Sequence, residues 1–243
     1  MAVVLTALTN VIENPITVLP PITVGLEYGN LFDSQETLGR NLALGKPLPS
    51  VVGDPVMGAD YADFTQGSAY IETGVEESAD FTYIAVSTPL VENAFEHIIS
   101  NYVFGVTPTA SLYTGEGVPS DGKKSVTAGI TADNGGNPTL YTRVPQPYAI
   151  IGEPHCMGAR FSSATGLLKS MSLTNGASSE GAPTGGRLQG TSGLRVGYNQ
   201  GGVNSGTVRI YAALIYSTAL TDVEIAQTYQ WLEARYASKG ITI

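Results

Sequence analysis

The chain is 243 residues long and 42% hydrophobic, enough to bury one large core, alone or with an attached arm. Only 14% of residues are charged and the net charge is −9, which excludes a nucleic-acid surface, because phosphates are met by clustered Lys and Arg. Cys156 is the single cysteine, so no intrachain disulfide can form, and it reads as a small buried hydrophobe.

The chain opens on an apolar run with no basic residue before Arg40, so it lacks the charged start of a secretory signal peptide. Pro15, Pro20 and Pro21 interrupt that run well short of the roughly 20 residues a membrane span needs, so membrane insertion is not expected. Up to Leu26 the only charge is Glu13. Proline fixes φ and removes backbone donors, which favours extended chain or edge strands over helix. An apolar, uncharged segment must pack on something, either its own domain or a neighbouring subunit. Residues 1–55 are therefore expected to form an extended arm or edge-strand segment. Val11, Ile12, Ile16, Val18, Leu19, Ile22 and Val24 are its candidate assembly contacts, and residues 56–243 form the domain.

From about residue 59 short strands alternate with breakers. Strands are expected at 69–73, 80–87, 97–106, 124–132, 139–144, 148–152, 158–163 and 167–174, and the spacing is that of a sandwich or barrel. Pro119-Ser120-Asp121-Gly122 and Asp133-Asn134-Gly135-Gly136-Asn137 supply turn chemistry. Residues 175–193, rich in Gly and Ser, read as a long polar loop. Residues 207–216 (TVRIYAALIY) are apolar on both faces and should lie centrally in a sheet. A helix follows: Thr221 and Glu224 make a capping box, and Leu220 and Ile225 a hydrophobic staple. Ile225, Tyr229, Leu232 and Tyr236 recur at helical spacing, and Gly240 is placed to end the helix; the stripe should pack on the sandwich.

The remaining titratable groups suggest no chemistry. Asp60 and Asp63 could offer oxygens to calcium, but no EF-hand loop accompanies them and they read as solvated carboxylates. His97 and His155 lack a partner at zinc-ligand spacing and read as structural. Glu76-Glu77 looks like a turn. No cofactor is expected. Tyr113, Tyr141, Tyr148 and Tyr198 lie beside loops, with Asn199, Gln200 and Asn204 near, which is the residue chemistry of sugar recognition, though sandwich tyrosines are mostly half-buried strand residues.

Leu194-Arg195-Val196-Gly197-Tyr198, then Gly206-Thr207-Val208-Arg209-Ile210, then the run Ala213 to Ile225 together resemble the close of laminin-G-like, concanavalin A-type jelly rolls. Gly67 to Ile71, Phe81 to Val86, and the Asn175-Gly176 end of residues 167–176 are similar to earlier strands of that superfamily. The resemblance covers about residues 55–240. It implies an all-β, two-sheet antiparallel jelly roll with a short C-terminal helix, whose face or loop rim can bind glycans, often with calcium. The E-x-D-x-x-E triplet of the superfamily's glucanases does not occur, so catalysis is not expected. Modules of this kind without disulfides or signal peptides are frequent in bacteriophage virions. The expected role is thus a non-catalytic virion protein, in a capsid-decorating or tail-associated position. It would assemble in the host cytoplasm and dock through its arm onto other virion proteins or as a homo-oligomer. The alternative is a carbohydrate-binding adhesin that recognises a cell-surface glycan, and after it a polysaccharide-cleaving glycosidase.

Overall fold

The computed structural model describes residues 19–92, 94–103, 108–115, 121–146, 148–198 and 206–243. In chain order the strands are β1 (Leu26–Leu31), β2 (Ser50–Val52), β3 (Val56–Met57), β4 (Ala62–Thr65), β5 (Tyr70–Glu76) and β6 (Phe81–Thr88). They continue with β7 (Glu96–Ser100), β8 (Ala110–Thr114), β9 (Lys123–Lys124), β10 (Val126–Asn134), β11 (Asn137–Arg143) and β12 (Ala149–Ile150). The last are β13 (His155–Ser162), β14 (Leu167–Ser172), β15 (Ala177–Gly181), β16 (Gly193–Val196) and β17 (Thr207–Tyr216), followed by the helix α1 (Asp222–Ala237). One sheet runs β15-β14-β13-β6-β17-β4-β3 with β1 also on β17; the other runs β11-β10-β8-β7-β16-β5-β2; β9 and β12 pair separately. The fold is the expected antiparallel jelly-roll sandwich with a C-terminal helix.

The long strand β17 shows why two layers and a helix are needed. Its Val208, Ile210, Ala213 and Ile215 point into the main core, with Phe81, Tyr83 and Ala85 of β6 beside them. Facing them from the second sheet are Ile71, Ile98, Leu112, Ala128 and Val196. Its Ala212, Leu214 and Tyr216 point outward with Ile84 and Val86, and Ile225, Leu232 and Tyr236 of α1 cover them. A register shift between Ile210 and Ala212 lets one edge of β17 serve two partners, β4 along Thr207–Ile210 and β1 beyond. At the shift the Tyr211 carbonyl accepts from Phe32 N (2.9 Å) and from Tyr236 Oη (2.8 Å), which ties the end of β1 and the helix to the irregularity.

The helix begins and ends as its sequence dictates. Thr221 accepts from Glu224 N (3.3 Å), and Glu224 Oε2 accepts from Thr221 N (2.7 Å). Leu220 and Ile225 are both buried. At the other end Gly240 adopts φ +75 while Ile241 N donates to the Tyr236 carbonyl (2.9 Å), closing a Schellman turn. Lys239 reaches Asp33 (2.8 Å) and Asp60 rather than the last carbonyls, and Arg235 also meets Asp33. Among the described residues no helix is long and apolar enough to cross a membrane.

Residues 26–52 are integral to the sandwich. β1 pairs with β17 and β2 with β5, and Tyr28, Phe32 and Leu38 are buried in the core. The loop expected at 175–193 contains β15, whose Ser- and Glu-rich alternation suits a sheet edge wet on both sides; it is joined to β14 by a turn with Gly176 at φ +64. The Gly135-Gly136 turn joins β10 to β11, with both φ values positive, as a two-residue hairpin requires.

Leu232 is fully buried beneath α1, whereas Val223 is 67% exposed. Replacing Leu232 with Ala should cost about 2–5 kcal/mol in urea unfolding, and Val223→Ala less than about 0.5 kcal/mol.

Candidate binding face

Since α1 covers the outer side of the eight-stranded sheet, the outer side of the seven-stranded sheet is the large sheet face of polar character. Its residues follow from register. Ile71, Val196, Ile99, Leu112 and Ala128 are cross-strand neighbours on the core side. One residue along, on the opposite face, lies a rung of Ser50, Glu72, Arg195, Ser100, Ser111, Gly129 and Thr142, one residue from each of the seven strands. An apolar inner rung backed by a polar outer one is the alternation a sandwich sheet requires.

The outer face has a buried floor and a half-exposed rim. On the floor Ser100 Oγ lies 2.6 Å from Ser111 Oγ and 3.2 Å from His97 Nδ1. Thr109 donates to Asn101 Oδ1 (3.0 Å), and the Asn101 oxygen also accepts from Ala110 N (2.7 Å). His97 stacks between Tyr102 (5.3 Å) and Tyr113 (5.0 Å). Toward β5, Tyr70 and Tyr198 meet at 4.4 Å, and the Arg195 guanidinium sits 4.4 Å over Tyr198 and 5.9 Å from Tyr70. Arg195 Nε donates to Glu72 Oε1 (3.0 Å), and Arg195 Nη1 has no partner. Tyr70, Glu72, Tyr102 and Arg195 keep part of their surface in solvent. Aromatic faces beside a guanidinium, a carboxylate and hydroxyls can stack on a pyranose ring and hydrogen-bond its substituents.

A buried ion pair pins the entry to β7. Lys124 Nζ donates to Glu96 Oε2 (2.8 Å), to the Val91 carbonyl (2.7 Å) and to the Ala94 carbonyl, and both side chains are fully buried. Glu96 Oε1 accepts from Leu90 N (2.8 Å) and Val91 N (3.1 Å), and Oε2 also from Thr114 (2.7 Å). Desolvation pulls the Lys124 pKa down, and Glu96 opposes it. With every polar atom of the pair matched, Leu90, Val91 and Ala94 are held against the start of β7, which delivers His97 to the outer face.

The residues singled out in the sequence fall elsewhere. Val11, Ile12, Ile16 and Val18 lie outside the described residues, as do Asn199, Gln200 and Asn204. Leu19 is 38% exposed and Val24 77%, while Ile22 packs on the cluster beneath α1, its carbonyl accepting from Tyr216 Oη (3.2 Å). Asp63 forms a two-pronged pair with Arg209 (2.8 Å each) and Asp60 meets Lys239, so neither is a free calcium ligand. Among the described residues no cluster of His, Cys, Asp and Glu fits a metal. Cys156 is buried under α1, where desolvation raises its thiol pKa. Tyr113 and Tyr198 belong to the outer face; Tyr141 packs on the core beneath Arg143 (4.6 Å), and Tyr148 hydrogen-bonds Gln146 (3.0 Å).

Glu77 is not an exposed turn residue. It is buried against Arg187 (3.5 Å), accepts from Gly190 N, and burial raises its pKa. Arg187 comes from the segment read as a polar loop; it donates to the Ser78 (2.7 Å) and Ala79 (2.8 Å) carbonyls and lies over Phe81 (4.8 Å) and Phe161 (5.0 Å), sealing one end of the core. The sequence signal missed for the outer face was the alternation in Tyr70-Ile71-Glu72 and Leu194-Arg195-Val196.

Neither a protein-family model nor a curated protein matches the sequence. Among solved structures the fold is similar to the botulinum neurotoxin type G receptor binding domain, with TM-score 0.60 and 10% identity over 86% of this chain and 52% of that one. It is similar to the binding domain of Paraclostridial mosquitocidal protein 1, with TM-score 0.58 and 13% identity over 87% and 52%. It is also similar to the CBM40 of the Ruminococcus gnavus IT-sialidase, bound to α2,6-sialyllactose, with TM-score 0.50 and 13% identity over 88% and 99%. The chain spans about half the length of the two toxin binding domains. These likenesses show the fold: an all-β jelly roll, shared with the binding domains of those proteins.

Burial holds the His97 imidazole down at about 3 and that of His155, bonded to Ser172 (2.8 Å), down at about 4. The unfolded chain takes up both protons near pH 6.5 and the folded chain does not, so this stability is complete above about pH 6.5 and is lost as pH falls. Each group costs up to about 1.4 kcal/mol per pH unit below that point. Glu77 acts in the opposite sense, since its raised folded pKa adds stability on acidification. Urea midpoints measured from about pH 7.5 to 5 should fall for the native chain and flatten in His97→Gln/His155→Gln. An unchanged slope in the double variant contradicts the assignment.

Proposed function

We propose that this protein is a carbohydrate-binding, receptor-recognising module that uses the outer face of its seven-stranded sheet and does no chemistry on its ligand. The observation that carries the reading is the half-exposed group of Tyr70, Arg195 and Glu72 over the buried Tyr198, with Tyr102 on the buried His97–Tyr113 stack, held on a rigid polar rung. Aromatic planes with fixed hydrogen-bonding groups are the chemistry that recognises sugars. The CBM40 neighbour was solved with α2,6-sialyllactose, the botulinum neurotoxin neighbour is a receptor binding domain and the mosquitocidal protein neighbour a binding domain, which supports a binding role over a catalytic one.

Assembly into a bacteriophage particle rests on the sequence resemblance, on composition and on the apolar N-terminal run. Contacts through Val11, Ile12, Ile16, Val18, Leu19, Ile22 and Val24 would be an addition to the binding role rather than a substitute for it. A glycan array probed with the full chain tests the main reading. We expect a restricted set of glycans to bind, and Tyr70→Ala and Tyr102→Ala each to weaken them about tenfold, roughly the ~1.4 kcal/mol of one stacked ring, with unfolding midpoints little changed. An array on which no glycan binds contradicts the proposal.

A further inference from the structure

We infer that the edge of the sandwich formed by residues 44–51 is where a second copy of this chain docks, in a twofold contact centred on the Glu27–Lys46 ion pair. The edge is rich in aliphatic side chains left in water. Leu44 is 79% exposed, Leu48 73%, Val24 77% and Val51 40%. Chain geometry holds the first three together. Lys46 Nζ meets Glu27 Oε2 (2.6 Å), and Asn41 Nδ2 donates to the carbonyls of Glu27 (3.1 Å) and Pro47 (2.9 Å). Val24, Leu44 and Leu48 each lie within three residues of a member of this knot, so each Cα is within about 11 Å of that member. Val51 follows Leu48 by three residues, in β2, the end strand of the seven-stranded sheet. Together the four leave about 500 Å² in water, the size at which an apolar patch marks an interaction site. That is more than half of the roughly 800 Å² that each partner brings to a standard interface.

Charge selects the occupant. A chain with net charge −9 repels its own copies over most of its surface. Between residues 41 and 53 the single ionised side chain is Lys46, and Glu27 cancels it, so that repulsion is locally relieved. The pair is also self-complementary. Lys46 carries three donors, meets one carboxylate and keeps 41% of its side chain in solvent, so across a twofold axis it can reach the partner subunit's Glu27 as well. A lipid surface fits less well, because aliphatics that enter a membrane need cations beside them for its head groups, and this edge offers one lysine already held. The contact is made by side chains. Pro47 and Pro49 precede β2 and Pro55 precedes β3, and proline cannot donate to a ladder, so the edge does not extend into a shared sheet. Because β2 ends the seven-stranded sheet, such a pair carries two candidate binding faces for a ligand with repeated groups. The association itself does not depend on the carbohydrate-binding reading.

Sedimentation velocity of the full chain from about 1 to about 100 μM tests the inference. The native chain should shift from monomer to dimer across that range, as an interface of this modest size predicts. Leu44→Glu and Leu48→Glu, which place an unpaired carboxylate at the contact, should each weaken the dimer at least about tenfold. Lys46→Glu should do the same by setting like charges against each other, while Val223→Glu, on the exposed side of α1, should leave the dimer unchanged. All four side chains are exposed, so unfolding midpoints should move little. A chain still monomeric at about 100 μM, a dimer that resists both leucine substitutions, or one that Val223→Glu dissociates overturns the inference. Flotation of the monomer with phosphatidylcholine vesicles, lost in Leu44→Glu, would assign the edge to a lipid surface and also overturns it.

Discussion

The architecture depends on burying both faces of β17. From Val208 onward all but Arg209 of its residues belong to two apolar sets and cannot sit at a wet surface, so one set requires a second sheet and the other requires α1. The irregularity at Tyr211 extends this to the edges, since it lets β4 and β1 share one side of the same strand while the Tyr211 carbonyl anchors Phe32 and Tyr236. Central position, helix packing and edge arrangement are thus consequences of one segment.

That constraint also leaves one candidate binding face. With α1 spent on the eight-stranded sheet, polar alternation is left to the outer side of the seven-stranded one, where Glu72, Arg195, Ser100 and Ser111 stand in register. The rigid elements around it are polar groups matched inside the fold. The Lys124–Glu96 pair fixes the approach to β7, and Arg187 with Glu77 closes the end of the core near β5. Burying these charges brings little net stability, but removing one partner strands the other, so they specify position more than they strengthen the fold. A binding site gains from such positioning because side chains held before the ligand arrives lose less entropy on binding it.

The close of the chain was legible because its signals are local. The two-faced apolar run, the Thr221–Glu224 capping box, the Leu220–Ile225 staple and the Gly240 stop lie within 34 consecutive positions, from Thr207 to Gly240, and each has a known periodicity or cap chemistry. The hairpin turn at Gly135-Gly136 was legible for the same reason. The entry of β1 and β2 into the sandwich was not, because their pairing partners are β17 and β5 and nothing near residues 26–52 announces them. β15 was hidden by its own composition, since a Ser-rich edge strand reads as loop. The candidate binding face was the least legible: Glu72 and Arg195 are 123 positions apart, and only sheet register brings them together. Arg187 and Glu77 show the same limit, two charges that look solvated in the sequence and are buried because they find each other.

The account stands on the claim that recognition occurs on the outer face of the seven-stranded sheet. The most direct test is amide chemical-shift mapping of the full chain titrated with an oligosaccharide that it binds. The account predicts the largest shifts at Tyr70, Glu72, Arg195 and Tyr198, and around Ser100, Tyr102 and Tyr113. Shifts concentrated instead along α1 and the adjoining Leu173–Ser178 turn, with the outer face silent, would contradict it.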